Sequence, residues 1–446
     1  MDAIGYLRRL QSEVGPRRAG TPGEARARAW LLGVLGEVGV LAEEREYAFL
    51  GSPLVRYAIA WVRNMALFVF LLFSRQLDSI IVLGGVVLHQ LYSSRLHPRL
   101  MLRLARTRSQ NILASLEKPF SEHLDEPQRP TLLICAHYDT PQNLPRWIVR
   151  MIKKMRSVGP LLSMTMLTLF AVLFLMSVFN LLDMLFGVGS QALTALSTFW
   201  IKVGYWIMVA VFVPQLLLIT IYILDLLLRE HGDSPGADDN GSGVALVLEM
   251  IERLKKSPPA NLETFFAFWG AEELGLYGSR QFVRQYGGRL DKGSTYIVNA
   301  DVVGVGEKLL IHTGQGVMFR RKTDPEIVTA LIDICEALDV AYLRSWESPI
   351  SGGSSDHAEW AERGFSKAVS LLRENPKKLS WPARALAFLL RVPDPAQFDI
   401  EHVHTPEDTI DIIREDVLAA TVDVCEAYVR WIDAHAAVEQ GTGGGA

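Results

Sequence analysis

The chain has 446 residues, a net charge of −4 and 49% hydrophobic residues, a length that allows two or three soluble domains. No block of basic residues interleaved with aromatics occurs, which argues against nucleic acid as a partner. Cys135, Cys335 and Cys425 are far apart in apolar surroundings; they match no metal-binding spacing and read as buried thiols of a reducing compartment.

The first twenty residues lack the apolar core of a secretory signal. "TPGEARARAWLLGVLGEVGV" opens on a Thr-Pro cap and predicts a helix from about Glu24 to Leu35. "AEEREYAFL" and "QNILASLE" read as strands, separated by an apolar stretch. Within that stretch, Tyr57 to Phe73 and Ile80 to Tyr92 predict a helical hairpin at residues 54–95 that crosses a bilayer, re-enters it or lies on it. After the apolar strand "TLLICAHYDT" come two uncharged runs, Leu161 to Phe179 with 19 residues and Val203 to Leu224 with 22. Each is long enough to cross a hydrocarbon core of roughly 30 Å at about 1.5 Å per residue, so residues 157–229 are expected to form a transmembrane hairpin. Lys and Arg gather on the side where the rest of the chain lies (Arg95 to Arg106, Arg146 to Arg156, and Arg229), which predicts an integral membrane protein with a cytoplasmic catalytic domain.

With the hairpins set aside, residues 1–53, 96–156 and 230–436 suffice for one α/β domain, and 437–446 read as a flexible tail. "VALVLEMIERLKK" is a predicted helix, "ETFFAFWG" and "TYIVNADVVG" predicted strands, "DPEIVTALIDICEAL" a helix, "KAVSLL" a strand and "REDVLAATVDVCEAYVRWID" a closing helix. This alternation predicts a mixed, mostly parallel sheet sandwiched by helices, with sites beyond the carboxyl ends of its strands.

Residues able to do chemistry collect at those strand ends. His137 and Asp139 end one strand at a spacing that puts both side chains on one face, where Asp139 can orient the imidazole. In "GADDNGSG", before a helix, one of Asp238 and Asp239 faces inward and the other caps. Glu272 and Glu273 follow a strand in a glycine-shaped loop, Asp301 ends "YIVNAD", and "HVHTPEDTID" supplies His402 and His404. Taken singly, each has an ordinary explanation as a turn, a cap or a solvated loop. Taken together they are nitrogen and oxygen donors without a thiolate, suited to zinc or a similar divalent ion, and more numerous than one catalytic ion uses.

"AHYDT", "GADDNGSG", "WGAEELGLYGS", "VNADVVG" and "HTPEDT" occur in the order and context of the di-zinc aminopeptidases, a family that includes glutamate carboxypeptidase and glutaminyl cyclase relatives, and the chain resembles that family. The resemblance implies two zinc ions and a zinc-exopeptidase fold. His137 and Asp301 would hold one ion, Glu273 and His404 the other, and Asp239 would bridge them with Asp238 beside it. Asp139 would orient His137, and Glu272 would be the general base taking a proton from the attacking water. "SGGSSDHAEW" resembles the family's substrate-side segment, which makes Asp356 and His357 candidate substrate contacts. The expected partners are a peptide substrate and the lipid bilayer, and the expected activity is removal of N-terminal residues. Hydrolysis of another amide, glutaminyl cyclisation, and an inactive membrane scaffold that keeps the fold are the alternatives. The chain departs from the family in about a hundred residues between "HYDT" and "GADDN", and in a basic, apolar insert at Pro376 to Pro393, read as an amphipathic helix on the membrane or an ordinary surface helix.

Overall fold

The computed structural model describes residues 1–73, 104–125, 129–151, 191–316, 320–348, 355–396 and 402–443, together with residues 175, 178–179, 182–183 and 185–187. In chain order the elements begin α1 (Ala3–Glu13), α2 (Pro22–Val38), β1 (Leu41–Phe49), α3 (Pro53–Phe73), β2 (Thr107–Ser115), α4 (Phe120–Asp125), β3 (Thr131–His137) and α5 (Gln191–Leu228). They continue with α6 (Gly243–Lys256), β4 (Glu263–Trp269), α7 (Tyr277–Tyr286), β5 (Thr295–Ala300), β6 (Lys308–Gln315), β7 (Arg321–Lys322) and α8 (Pro325–Ala337). The last are β8 (Tyr342–Glu347), α9 (His357–Glu362), β9 (Ala368–Glu374), α10 (Trp381–Leu389) and α11 (Glu415–Gly443). The chain divides into two units, one of Met1–Phe49, Thr107–Arg146 and Gly232–Ala446, the other of Leu50–Arg106 and Trp147–His231.

The first unit is built on a nine-stranded mixed sheet in the order β1-β2-β4-β3-β5-β9-β6-β7, with β8 on β6. Its centre is parallel: β3 pairs in parallel with β4 and β5, and β5 with β9. β1, β2 and β4 pair antiparallel, and so do β6 and β9. Central parallel strands are covered on both faces, which is why β3 and β4 read as unbroken apolar runs. Leu132, Ile134 and Ala136 enter one core with Phe266, Phe268 and the buried face of α6. Leu133 and Cys135 enter the other with Phe265, Trp269, Phe282 and Trp360. Alternation along β3 thus fixes its register against both layers, and its last residue, His137, comes out fully buried at the carboxyl end. The helix expected from Glu24 is α2. Its Thr21 cap accepts a hydrogen bond from the Gly23 N–H, and Gly39 ends it in the left-handed region at φ 72°.

In the second unit α3 packs on α5, where Trp61 Nε1 donates to Thr220 Oγ1 at 2.8 Å and the Tyr57 and Tyr222 rings meet edge-on at 4.6 Å. Among the described residues no helix is long and apolar enough to cross a membrane, so the expected transmembrane hairpins are not supported as spans. α3 carries Arg56, Arg63 and a buried Asn64 within its length. The second half of the expected first hairpin and most of 152–190 lie outside the described residues, as do many side chains in the first half of α5. The basic, apolar insert forms α10, with Ala383, Leu386 and Ala387 buried and Trp381 and Phe388 exposed.

Candidate metal centre

Five segments of the first unit meet beyond the carboxyl ends of β3, β4 and β5. β3 delivers His137, and two residues later Asp139 is fully buried. Its carboxylate accepts the backbone N–H of Glu272 through Oδ1 at 3.0 Å and of Glu273 through Oδ2 at 3.3 Å. Those bonds shape the turn after β4 that carries the two glutamates. Ala271, just before them, sits at φ 51°, a left-handed conformation unusual for alanine. The Asp139 carbonyl oxygen lies 3.2 Å from His137 Nδ1, and the carboxylate lies 3.6 Å from the same nitrogen. Asp139 therefore holds the glutamate turn by its carboxylate and faces the imidazole mainly by its backbone, a division of labour the sequence does not disclose.

The 237–242 turn before α6 places Asp239. Its Oδ1 lies 3.3 Å from His137 Nε2 and its Oδ2 lies 3.3 Å from His404 Nε2. The Asp239–Asn240 peptide is cis. Asn240 donates through Nδ2 to the Ala300 carbonyl at 2.8 Å and accepts the Gly243 N–H at 3.0 Å, tying this turn to the end of β5. A Cβ on Gly243 would stand 2.4 Å from that carbonyl oxygen, so glycine is required by close approach. Asp301 follows β5 with Oδ1 3.4 Å from His137 Nε2. Val302 after it lies at φ 50° and His404 at φ 60°, so strained non-glycine backbone recurs around the cluster. His404 Nε2 lies 3.1 Å from Glu273 Oε2, and Glu272 Oε2 lies 3.9 Å from His137 Nε2.

The fold thus brings together His137, Asp239, Glu273, Asp301 and His404, with Glu272 at the edge of the group. Asp239 faces one histidine with each oxygen. Asp238 is turned away: its Oδ2 meets His402 Nε2 at 2.9 Å and its Oδ1 accepts the Gly304 N–H at 2.7 Å. Asp239 and His404 lie as an inner pair, and Asp238 and His402 as an outer pair. Asp356 is fully buried and accepts a hydrogen bond from Ser279 Oγ. His357 is directed elsewhere; its Nε2 lies 3.1 Å from Glu347 Oε2 and its ring stacks on His312.

The electrostatics of the cluster suit a cation. Burial, followed by repulsion from Asp239, pushes Glu273 up to about 7, and burial pushes Asp356 to about 7 as well. Glu272 is raised well above the ordinary carboxylate range by burial, with His137 opposing and Glu273 adding repulsion. Burial works against charging His137 and His404, yet the carboxylates around them raise both well above the usual imidazole range. His137 Nε2, Glu273 Oε1 and Asp301 Oδ1 are buried with no hydrogen-bond partner, an arrangement that costs several kcal/mol unless a ligand satisfies it. His137, Asp239 and Glu273 present ligand atoms within 4.8 Å of one another, and imidazole with carboxylate is a zinc donor set.

Residues that sequence reasoning missed stand behind this group. Asp408 accepts the N–H of Asp238 at 2.7 Å and of Asp239 at 3.1 Å. Ser355 Oγ donates to Asp301 Oδ2 at 2.6 Å and itself accepts from Asn299. Arg17, fully buried, donates to the Gly236 carbonyl at 2.7 Å. Asp408 lies inside "HTPEDT" and Ser355 inside "SGGSSDHAEW", where both could have been singled out; Arg17 carries no comparable signal.

The profile of peptidase family M28 matches residues 224–429. That segment is a little under half of the chain, and over it the chain is similar to M28 peptidases. It is 32% identical over 201 residues to Aminopeptidase YwaD of Bacillus subtilis, a match covering 44% of this chain and 37% of that protein. It is 35% identical over 139 residues to an aminopeptidase of Pseudomonas aeruginosa, covering 30% and 25%. These matches span well under half the length of the curated relatives. A zinc aminopeptidase from Bacillus subtilis superposes with a TM-score of 0.50 at 15% identity, covering 96% of this chain and 93% of the other. A glutaminyl cyclase from an Acidobacteriales bacterium gives 0.51 at 14% identity, covering 97% and 94%. At such identities the two structures speak for the fold alone. The M28 match and the imidazole and carboxylate donor set both fit zinc as the metal.

Proposed function

We propose that the protein is a di-zinc aminopeptidase that hydrolyses N-terminal peptide bonds. The observation that carries this reading is Asp239, whose two oxygens lie at equal distance from His137 and His404. A carboxylate so placed can serve two cations at once, with Asp301 completing the His137 side and Glu273 the His404 side. When bound, zinc supplies Lewis acidity toward water and the scissile carbonyl.

The chain's own residues supply the rest. Glu272 takes the proton of the attacking water on its carboxylate and passes it to the departing amine. Burial raises its carboxyl well above the ordinary range, and cations held by the neighbouring ligands would oppose that shift. Asp139 fixes the turn so that Glu272 and Glu273 point to different tasks. Asp356, buried beside Ser355 and near enough to Glu272 to repel its charge, is the carboxylate we assign to a substrate ammonium group.

The deciding experiment combines a substrate screen with a base variant. Aminoacyl amides should be cleaved, N-blocked amides should not, and a chelator should abolish turnover. Glu272→Gln should lose roughly 10²–10⁴ of the rate while keeping its zinc. Near-full turnover of that variant with metal bound would refute the assignment. Activity confined to blocked amides, or to N-terminal glutaminyl substrates with cyclisation, would replace the aminopeptidase reading.

The finer reading of location is that the second unit meets a lipid surface. It is supported by the exposed Trp206, Leu217, Ile221, Leu224 and Leu228 along α5. Co-flotation of the full chain with phospholipid vesicles is the expected behaviour; recovery free of the vesicles would contradict it.

A further inference from the structure

A second cluster of metal-binding side chains lies outside the centre described above. His312 on β6, Glu347 at the end of β8 and His357 at the start of α9 present ligand atoms within 4.8 Å of one another. All three side chains are largely out of solvent; His312 is 8% exposed and His357 4%. The two imidazoles stack with centroids 5.1 Å apart and 21° between planes, and His357 Nε2 stands 3.1 Å from Glu347 Oε2. Both nitrogens of His312 and Nδ1 of His357 are buried without a hydrogen-bond partner.

A histidine and glutamate held together by one hydrogen bond would explain Glu347 and His357. It leaves His312 unexplained. An imidazole buried with neither nitrogen satisfied pays the desolvation of a donor and an acceptor at once, and stacking on a second imidazole does not return it. A cation taking one nitrogen from each ring and an oxygen from Glu347 removes that cost. Two imidazoles and one carboxylate, with a water in the fourth position, are an established donor set for tetrahedral zinc.

We infer that His312, Glu347 and His357 form a third, separate metal site that takes one zinc-type divalent cation. The three ligands come from three different elements, so the ion ties the β6–β8 edge of the sheet to the start of α9. The two residues before His357 belong to the wall of the first site: Ser355 donates to Asp301, and Asp356 is buried beside Ser279. An ion held there would steady that wall. This inference does not depend on the proposed peptidase activity.

The test is zinc stoichiometry of the full chain, stripped with chelator, dialysed to equilibrium against zinc and assayed by elemental mass spectrometry. His312→Gln and Glu347→Gln, each checked for native circular dichroism, should bind one equivalent fewer than the wild type. The double variant Asp239→Asn, Glu273→Gln should retain one ion, and its cobalt-substituted form should show the strong visible absorption of a four-coordinate site. Equal zinc content in the wild type and in either folded single variant overturns the inference. Should both single variants fail to fold, absence of any bound ion in the double variant overturns it, and one tightly held ion supports it.

Discussion

Asp408 touches no candidate ligand side chain, yet it should control metal affinity. Its carboxylate accepts the N–H groups of Asp238 and Asp239 at 2.7 and 3.1 Å in a fully buried position. Asp408→Asn keeps the shape but offers one oxygen and one amide nitrogen. One backbone N–H keeps an acceptor, through a weaker neutral bond; the other faces a donor and is left unsatisfied. Losing that partner costs about 1–3 kcal/mol, and weakening the retained bond about 1 kcal/mol. Burial, and then repulsion from Asp239, push the Asp408 carboxyl up to about 7, so removing its charge returns part of that cost. The net, about 1–3 kcal/mol, is expressed as displacement of Asp239 and corresponds to roughly 10- to 100-fold weaker zinc binding. A competition titration against a chromophoric chelator reads this directly. Glu407→Gln, an exposed neighbour, serves as the control and should bind zinc as the wild type does. Unchanged zinc affinity in folded Asp408→Asn would refute the idea that this clamp sets the position of Asp239.

Two further outcomes follow from local geometry. Gly243→Ala drives a methyl to within 2.4 Å of the Ala300 carbonyl and 2.3 Å of Asn240 Oδ1, and should destabilise the protein by about 1–3 kcal/mol in denaturant titration; an unchanged midpoint would contradict the close approach. Glu24 is buried, accepts from the Gly20 N–H and Ser109 Oγ, and has its carboxyl raised by burial from 4.5 to about 7. A carboxyl raised on folding stabilises while protonated, below pH 4.5, and loses that contribution as pH rises to about 7. The wild type should therefore lose up to about 3 kcal/mol relative to Glu24→Gln across this window, read as diverging unfolding midpoints; parallel pH profiles would contradict it.

What was legible in the sequence was whatever has a local signature. β3 and β4 announce themselves as apolar runs because both their faces are covered, and α2 by its Thr-Pro start and glycine stop. β6 and β8 were missed. β6 places a buried His312 directly after Leu309, Leu310 and Ile311, breaking the apolar pattern, and β8 is only half buried. α1 was missed as well, since its buried stripe of Ala3, Tyr6, Leu7 and Leu10 is interrupted by Arg8 and Arg9. In the candidate site, side chains of unusual type at strand ends were readable one by one. The groups that hold them were not, because Asp408 and Ser355 act on backbone or carboxylate atoms 54 to 170 residues away. The division between Asp139's carboxylate and its carbonyl was equally hidden, since spacing along a strand says which residues share a face and nothing of which atom each will use.

The central claim concerns two cations around Asp239, and anomalous scattering at the zinc edge from crystals of the zinc-loaded protein tests it most directly. The account predicts two peaks flanking Asp239, one within about 2.0–2.2 Å of His137 and Asp301 donor atoms and the other within the same range of Glu273 and His404. A single peak with one of the two histidines unliganded, or no peak beside Asp239, would contradict it.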